Sequence, residues 1–267
     1  MPPVDQPFPG LSGCRVIVTG GTRGIGAGIA RGFLRAGAQV LVCGRGEPPA
    51  RPAVPATAGD RTAAFTRADV RDPEQARGLI AAATEMFGGV DVVVSNAGGS
   101  PAAAAATASP RFHATIIELN LIAPLHVAQA ANEMMQAQPA GGSIIMIGSV
   151  SGIRPSPGTA AYGAAKAGLQ HLVTSLAIEW GPRVRVNTVV PGFVATGDSA
   201  GHYGDADSVA AIAATVPLRR MATPDDVADA CLFLASPRAA YVSGASLTLH
   251  GGGEPPAFLS LAPRPPS

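Results

Sequence analysis

The sequence predicts a doubly wound α/β domain, in which a parallel sheet is covered by helices on both faces. Two observations carry this. Short, continuous apolar runs alternate along the chain with segments whose apolar residues recur at helical spacing. The runs also lack polar–apolar alternation, as expected of strands buried on both faces. A length of 267 residues with no internal repeat or evident linker favours one large domain over two small ones.

The elements follow in order. Residues 1–10 contain four prolines and read as a loose arm, leaving the domain to span 11–252 and a tail to cover 253–267. Residues 15–19 (R-V-I-V-T) suit a buried strand, and residues 24–36 follow with Ile25, Ile29, Phe33 and Leu34 at helical spacing. The next strand is 39–43. Residues 44–60 cannot form a regular helix, because Pro48, Pro49, Pro52 and Pro55 interrupt them. A strand at 63–67, a helix at 73–87 and a strand at 90–95 come next, then a long helix at 110–136 and a strand at 143–147. A helix at 160–180, a strand at 184–190, a helix at 224–235 and a strand at 246–249 complete the pattern.

Composition narrows the function. Hydrophobic residues make up 47% and charged residues 14%, so the chain can bury a sizeable core. A net charge of +1 argues against the basic stripe of a nucleic-acid binder. No uninterrupted apolar run reaches the roughly 20 residues that span a bilayer. The start lacks the basic patch and apolar stretch of a signal peptide. Cys14, Cys43 and Cys231 are odd in number and far apart, and the five histidines lack metal-ligand spacing. A cytoplasmic protein with no metal, membrane or nucleic-acid partner is expected.

The cations are lopsided: eighteen are Arg, and the one Lys is Lys166. A solvated ammonium is readily replaced by a guanidinium, whereas a site that needs a compact point charge cannot make the exchange. Lys166 is therefore a candidate functional residue before any motif is considered.

Three constellations carry chemistry. The first strand runs into Thr19-Gly20-Gly21-Thr22-Arg23-Gly24-Ile25-Gly26, which opens a helix. Glycines there let phosphates approach the backbone N–H groups of the helix N-terminus, so Gly20, Thr22, Arg23, Gly24, Ile25 and Gly26 are candidate nucleotide contacts. The second strand ends in Cys43-Gly44-Arg45, without the acid that usually holds a ribose 2′-hydroxyl. Arg23 and Arg45 suit a 2′-phosphate, which favours NADP(H) over NAD(H). Glu47 at the ribose is the basis of the NAD-linked alternative. Last, Tyr162 and Lys166 lie one helical turn apart, and Ser149 follows the strand at 143–147. An unperturbed phenol has a pKa near 10, and a nearby cation is expected to lower it into a useful range. The Ser149 hydroxyl could polarise a carbonyl about to accept hydride.

Together these residues resemble the short-chain dehydrogenase/reductase family over about residues 11–252. The matches are T-G-G-T-R-G-I-G, the S-N-A-G of Ser95 to Gly98, Asn120, Ser149, Y-G-A-A-K, R-V-N at 185–187, and Pro191-Gly192 with Thr196. The resemblance implies a Rossmann-type sheet of seven parallel strands and a homotetramer or homodimer. It also implies reversible hydride transfer between a nicotinamide and a small-molecule carbonyl or alcohol. On that basis Tyr162 is the general acid/base and Ser149 polarises the carbonyl. Lys166 holds the nicotinamide ribose, and Asn120 supports a water in a proton relay. Asp69 and Val70 flank the adenine; Asn96, Ala97 and Gly98 line the cleft; Pro191, Gly192, Val194 and Thr196 border the nicotinamide end. Residues 208–222 and the ending H-G-G-G-E-P-P-A-F-L resemble actinobacterial members.

The chain departs from that pattern in three places. Residues 44–60 replace a helix found in many relatives, and His250 stands where an Asp usually precedes the closing glycines. His126 and Ile178 replace basic residues of the 3-oxoacyl-carrier-protein reductases, which weighs against an acidic carrier as substrate. Residues 197–215, flexible at first and then apolar, are expected to form a lid. The rival readings are an NAD-linked alcohol or hydroxysteroid-type dehydrogenase, and a non-catalytic nucleotide sensor on the same fold.

Overall fold

The computed structural model describes residues 8–55, 60–197 and 203–256. Most of the expected N-terminal arm and C-terminal tail, and residues 198–202 of the expected lid, lie outside the described residues. Seven strands form one parallel sheet: β1 (Arg15–Thr19), β2 (Gln39–Gly44), β5 (Ala64–Arg67), β6 (Val92–Ser95), β7 (Gly142–Ile147), β8 (Val184–Pro191) and β9 (Ser246–Leu249). Their spatial order is β5-β2-β1-β6-β7-β8-β9. The central register pairs Ile17 with Leu41 on one side and Val93 on the other.

The continuous apolar runs are explained by two cores, one on each face of the sheet. Val16, Val18, Val40, Val42, Val92 and Val94 point into a core shared with α1 (Gly24–Arg35) and, late in the chain, Val227 and Cys231. Ile17, Leu41, Val93, Ile144 and Met146 point the other way, into a core with residues of α2 (Pro73–Phe87). Side chains alternate across a strand, so both faces must be apolar for both to be covered.

The helix expected at 110–136 is two helices, α3 (Pro110–Ile117) and α4 (Ala123–Ala137), joined by a π-helical turn at Glu118–Ile122. The cause is Asn120, fully buried in that turn. Its side-chain amide donates to the carbonyls of Gly99 (2.9 Å) and Ile116 (3.0 Å), and its oxygen accepts from the Gly99 N–H (2.8 Å). Within Pro110–Ala137 an 18-residue window has a mean hydropathy of 1.2, long and apolar enough by composition to cross a membrane. Val127, Ala128, Ala131 and Met135 from that stretch are instead packed in the second core.

Among its described residues the proline-rich stretch forms no helix. It contributes β3 (Ala53–Val54), paired antiparallel with β4 (Arg61–Thr62), and Val54 is buried in the first core. The next helix is α5 (Ala160–Trp180), followed by α6 (Ala206–Thr215), in which no residue is buried, and α7 (Pro224–Ala235).

Helices α1 and α7 pack unusually close. A Cβ on Gly28 would stand 2.3 Å from Cβ of Pro224, and one on Gly32 would stand 2.8 Å from Cβ of Ala228. Arg35 of α1 adds a 2.9 Å ion pair to Asp225. The start of α7 is fixed by a capping box between Thr223 and Asp226, whose carboxylate also takes two bonds from Arg220 (2.6 and 2.7 Å). Arg220 is the main reason that the Asp226 carboxyl titrates well below the usual carboxylate range. Its contribution is therefore present above pH ~4 and is lost only in strong acid. Thr223→Ala is expected to cost about 1 kcal/mol of stability, measured by urea unfolding. An unchanged midpoint would mean that Arg220 alone holds the helix start.

Candidate active site

The chain leaves β1 toward β2 and β5, then returns to place β6 on the other side of β1. A crevice forms at the carboxyl ends of the strands where the order reverses. A cleft of about 900 Å³ opens there. Thr19, fully buried at the end of β1, ties its two walls together. Its hydroxyl accepts from the backbone N–H groups of Asn96 and Ala97, each at 3.0 Å. The Asn96 amide donates back to the carbonyls of Thr19 (2.9 Å) and Gly20 (3.2 Å). Asn96 thus borders the cleft, but its side chain is taken up in bracing the glycine loop.

The loop itself fits an anion. Gly24 has φ +53°, a left-handed conformation that other residues resist. A Cβ there would meet nothing nearer than Thr196 at 3.9 Å, so the space beside it is open. Asp72 caps α2 and Thr223 caps α7, whereas α1 has neither a side-chain cap nor an acid in its first turn. The backbone N–H groups at the start of α1 are therefore left for a ligand, as a dinucleotide pyrophosphate requires. Gly20, Thr22, Arg23, Ile25 and Gly26 line the same wall.

Beyond the loop, Arg45, Asp69 and Val70 border the far end of the cleft. Glu47 is turned aside to Arg51 (3.4 Å) and is not part of the cleft wall. Sequence reasoning missed Arg71, which lines the cleft beside Asp69. The Arg71 Nε donates to the two Asp69 oxygens (3.0 and 3.2 Å), and this partner holds the Asp69 carboxyl below its ordinary pKa. An Arg two residues after an Asp is too common a pattern to have been a signal.

At the other end, Ser149, Tyr162 and Lys166 line the cleft together with Gly98, Pro191, Gly192, Val194 and Thr196. A 3₁₀ turn at Val150–Gly152 follows Ser149 and rests directly on α5. Two glycines permit this approach: a Cβ on Gly152 would stand 2.7 Å from the Lys166 backbone, and one on Gly163 would stand 2.8 Å from the Ser151 carbonyl. The contact sets Ser149 close enough to Tyr162 for its hydroxyl to act to lower the phenol pKa. Lys166 is buried, its Nζ donating to the Ile147 carbonyl at 2.8 Å and standing 5.6 Å from the Tyr162 ring centre.

Two expectations need correction. The Tyr162 phenol is pushed up from its ordinary value, not down. Burial is the main cause, opposed by the Ser149 hydroxyl. The ammonium donates to the Ile147 carbonyl and stands 5.6 Å from the Tyr162 ring centre, and it is itself lowered to about 8 by burial. Asn120 is not on the cleft wall; its neighbour Leu119 is. Asn120 braces Gly99 from behind, because its amide is fully engaged there and at Ile116. Arg154 and Tyr203, which had no distinguishing signal in the sequence, also line the cleft, as does the apolar Phe193.

Comparison with known proteins places the chain in a family. A family model described as enoyl-(acyl carrier protein) reductase matches residues 20–254. L-rhamnose 1-dehydrogenase (NAD(P)(+)) of Azotobacter vinelandii is 37% identical over 243 residues, covering 89% of this chain and 95% of that protein. The 3beta-hydroxysteroid dehydrogenase 1 of Eggerthella lenta is 37% identical over 246 residues, covering 91% and 94%. A solved structure of a short chain dehydrogenase/reductase family protein superposes with a TM-score of 0.79 at 37% identity, covering 91% of this chain and 97% of that one. With its doubly wound sheet, glycine loop and dehydrogenase relatives, the chain belongs to the short-chain dehydrogenase/reductase family of oxidoreductases.

Proposed function

We propose that the protein interconverts a ketone and a secondary alcohol with NADP(H), using Tyr162 as general acid/base. The observation that carries this reading is that Ser149, Tyr162 and the buried Lys166 line one cleft, with the Lys166 Nζ 5.6 Å from the Tyr162 ring centre. When bound, a nicotinamide cofactor supplies the two-electron partner, accepting the hydride of a carbinol C–H bond as C=O forms, or returning it. Tyr162 takes the alcohol O–H proton in that direction and gives it back in reduction. Ser149 donates to the carbonyl oxygen and holds it against Tyr162. Lys166 keeps positive charge next to the phenol as it ionises, and Asn120 fixes the Gly98-Gly99 wall from behind.

NADP(H) is favoured over NAD(H) because Arg23 and Arg45 lie on the cleft wall, while Glu47 is paired elsewhere. Two guanidiniums favour a dianionic phosphate over a neutral hydroxyl. We also read the protein as a homodimer or homotetramer, supported by Ile178 on the outer face of α5, which is 84% exposed. A panel of ketones and secondary alcohols, assayed with both cofactors by nicotinamide absorbance, tests the reading. Absence of turnover across the panel, with cofactor binding intact, would favour a nucleotide sensor instead.

The pH dependence should carry the mark of burial. Reduction draws on a protonated Tyr162 and a charged Lys166. Tyr162 stays protonated above its ordinary range, while Lys166 loses its charge through about pH 8. Ketone reduction is therefore expected to be flat below that pH and to fall above it. Alcohol oxidation, which needs the phenolate, should rise with pH toward that point. Profiles of kcat/KM in both directions check this, and a reduction limb that falls below pH 7 would contradict it.

A further inference from the structure

The Arg45 end of the cleft holds a charged pair that the chemistry above does not use. Parallel pairing of β2 with β5 sets Cys43 beside Thr66 and Gly44 beside Arg67. The ladder runs one step further, the Ala68 N–H donating to the Gly44 carbonyl at 3.0 Å. The two strands thus leave the sheet side by side, one leading into Arg45 and the other into Asp69, and both residues line the cleft. Among the described residues Asp69 is the only acid on the cleft wall. Arg71 chiefly, and Arg45 with it, hold its carboxyl below the ordinary pKa, so it is ionised at neutral pH.

A bare carboxylate at this place suits one cofactor and not the other. It can accept from a ribose 2′-hydroxyl, whereas it repels a 2′-phosphate and competes with it for Arg45. Arg71 takes that carboxylate out of play. Its Nε donates to both Asp69 oxygens (3.0 and 3.2 Å), its Nη2 bonds Oδ2, and its backbone N–H donates to Oδ1 at 3.1 Å. The turn that carries the pair is fixed as well. The Asp69 N–H donates to Gln75 Oε1 at 2.8 Å, and the Asp72 N–H donates to the Asp69 carbonyl at 3.0 Å. Such a fork-to-fork pair is geometrically specific, and both side chains are more covered than exposed, at 30% and 26%.

We propose that Arg71 is a positioning residue that sets cofactor preference: by occupying both oxygens of Asp69 it cancels the acid on the cleft wall and leaves Arg45 for the 2′-phosphate of NADP(H). This rests on the NADP(H) reading and names a further residue on which that preference depends. Arg71 acts through Asp69, so its removal should matter only while the carboxylate is there.

The test measures affinities of NADPH and NADH for the full chain by nucleotide fluorescence, in wild type, Arg71→Met, Asp69→Asn and the double variant. Arg71→Met is expected to lower the NADPH-to-NADH affinity ratio about tenfold, the effect of one uncompensated charge a few ångströms from a phosphate in partly exposed surroundings. The loss should fall on NADPH, with NADH unchanged or tighter. Asp69→Asn should keep or raise the ratio. Added to Arg71→Met, it should bring the ratio back to within about threefold of wild type, since the two residues act as one coupled unit. Arg71→Gln gives the same comparison should the Met variant fail to fold. Equal weakening of both cofactors by Arg71→Met would make the pair a purely structural tie, and that overturns the proposal. A ratio lost in Arg71→Met and not regained in the double variant overturns it too, because Arg71 would then bond the phosphate directly. An unchanged ratio in Arg71→Met overturns it while leaving the NADP(H) reading standing. Equal affinities in the wild type sink the NADP(H) reading itself, and the proposal falls with it.

Discussion

Tyr162→Phe is expected to lower turnover by at least about 10²-fold while leaving the fold and nucleotide binding in place. The substitution removes one hydroxyl and keeps the ring whose centre stands 5.6 Å from the Lys166 ammonium. A positioned acid/base group typically contributes 10²–10⁴-fold, so the lower end of that range is the threshold. Lys166→Arg should be impaired as well. The ammonium occupies a pocket where its Nζ reaches the Ile147 carbonyl, and a planar fork is too large and wrongly shaped for it. Steady-state kinetics read both effects, and circular dichroism with NADPH titration separates lost chemistry from lost structure. Near-normal turnover in the Phe variant would remove Tyr162 from the mechanism.

Arg45→Ala should remove most of the discrimination between NADPH and NADH. Charge-assisted contacts contribute roughly 1.5–3 kcal/mol each. Arg23 and Arg45 together then give about 10²-fold in favour of the phosphorylated cofactor, and the single variant should lose about tenfold or more of it. The advantage should also shrink as salt is added, because the contact is ionic and both side chains are exposed. Titration by nucleotide fluorescence at two ionic strengths measures this. Equal affinities in the wild type would leave both arginines as ordinary surface residues.

The sheet was legible because its central strands are buried on both faces, which leaves no polar residue to blur runs such as Val16-Ile17-Val18. The glycine loop and the Tyr162–Lys166 pair were legible because their spacing is local, within one turn or one helical step. What the sequence hid was long-range. Asn120 reads as an ordinary helical residue until the Gly99 backbone, 21 positions away, supplies partners that draw it inward and open a π turn. The Tyr162 pKa depends on how deeply α5 is covered and where Lys166 points, and neither follows from a spacing of four. The proline-rich stretch was correctly denied a helix, but the burial of Val54 beside α1 is a tertiary contact that composition cannot supply.

The tight seam between α1 and α7 has a consequence for how the protein matures during synthesis. The glycine turn leaves the ribosome well before the helix packed against α1. The helix that clamps it arrives about 190 residues later, the separation of the Arg35–Asp225 pair. At about 5–20 residues per second, that delay is on the order of ten to forty seconds. Until then Gly28, Gly32 and the apolar side of α1 face water, and the glycine turn has the right sequence but no fixed backing. A nascent or truncated chain ending before Thr223 should carry the whole nucleotide motif and yet have no competent site. Cofactor capture is thus expected only once α7 has docked on α1.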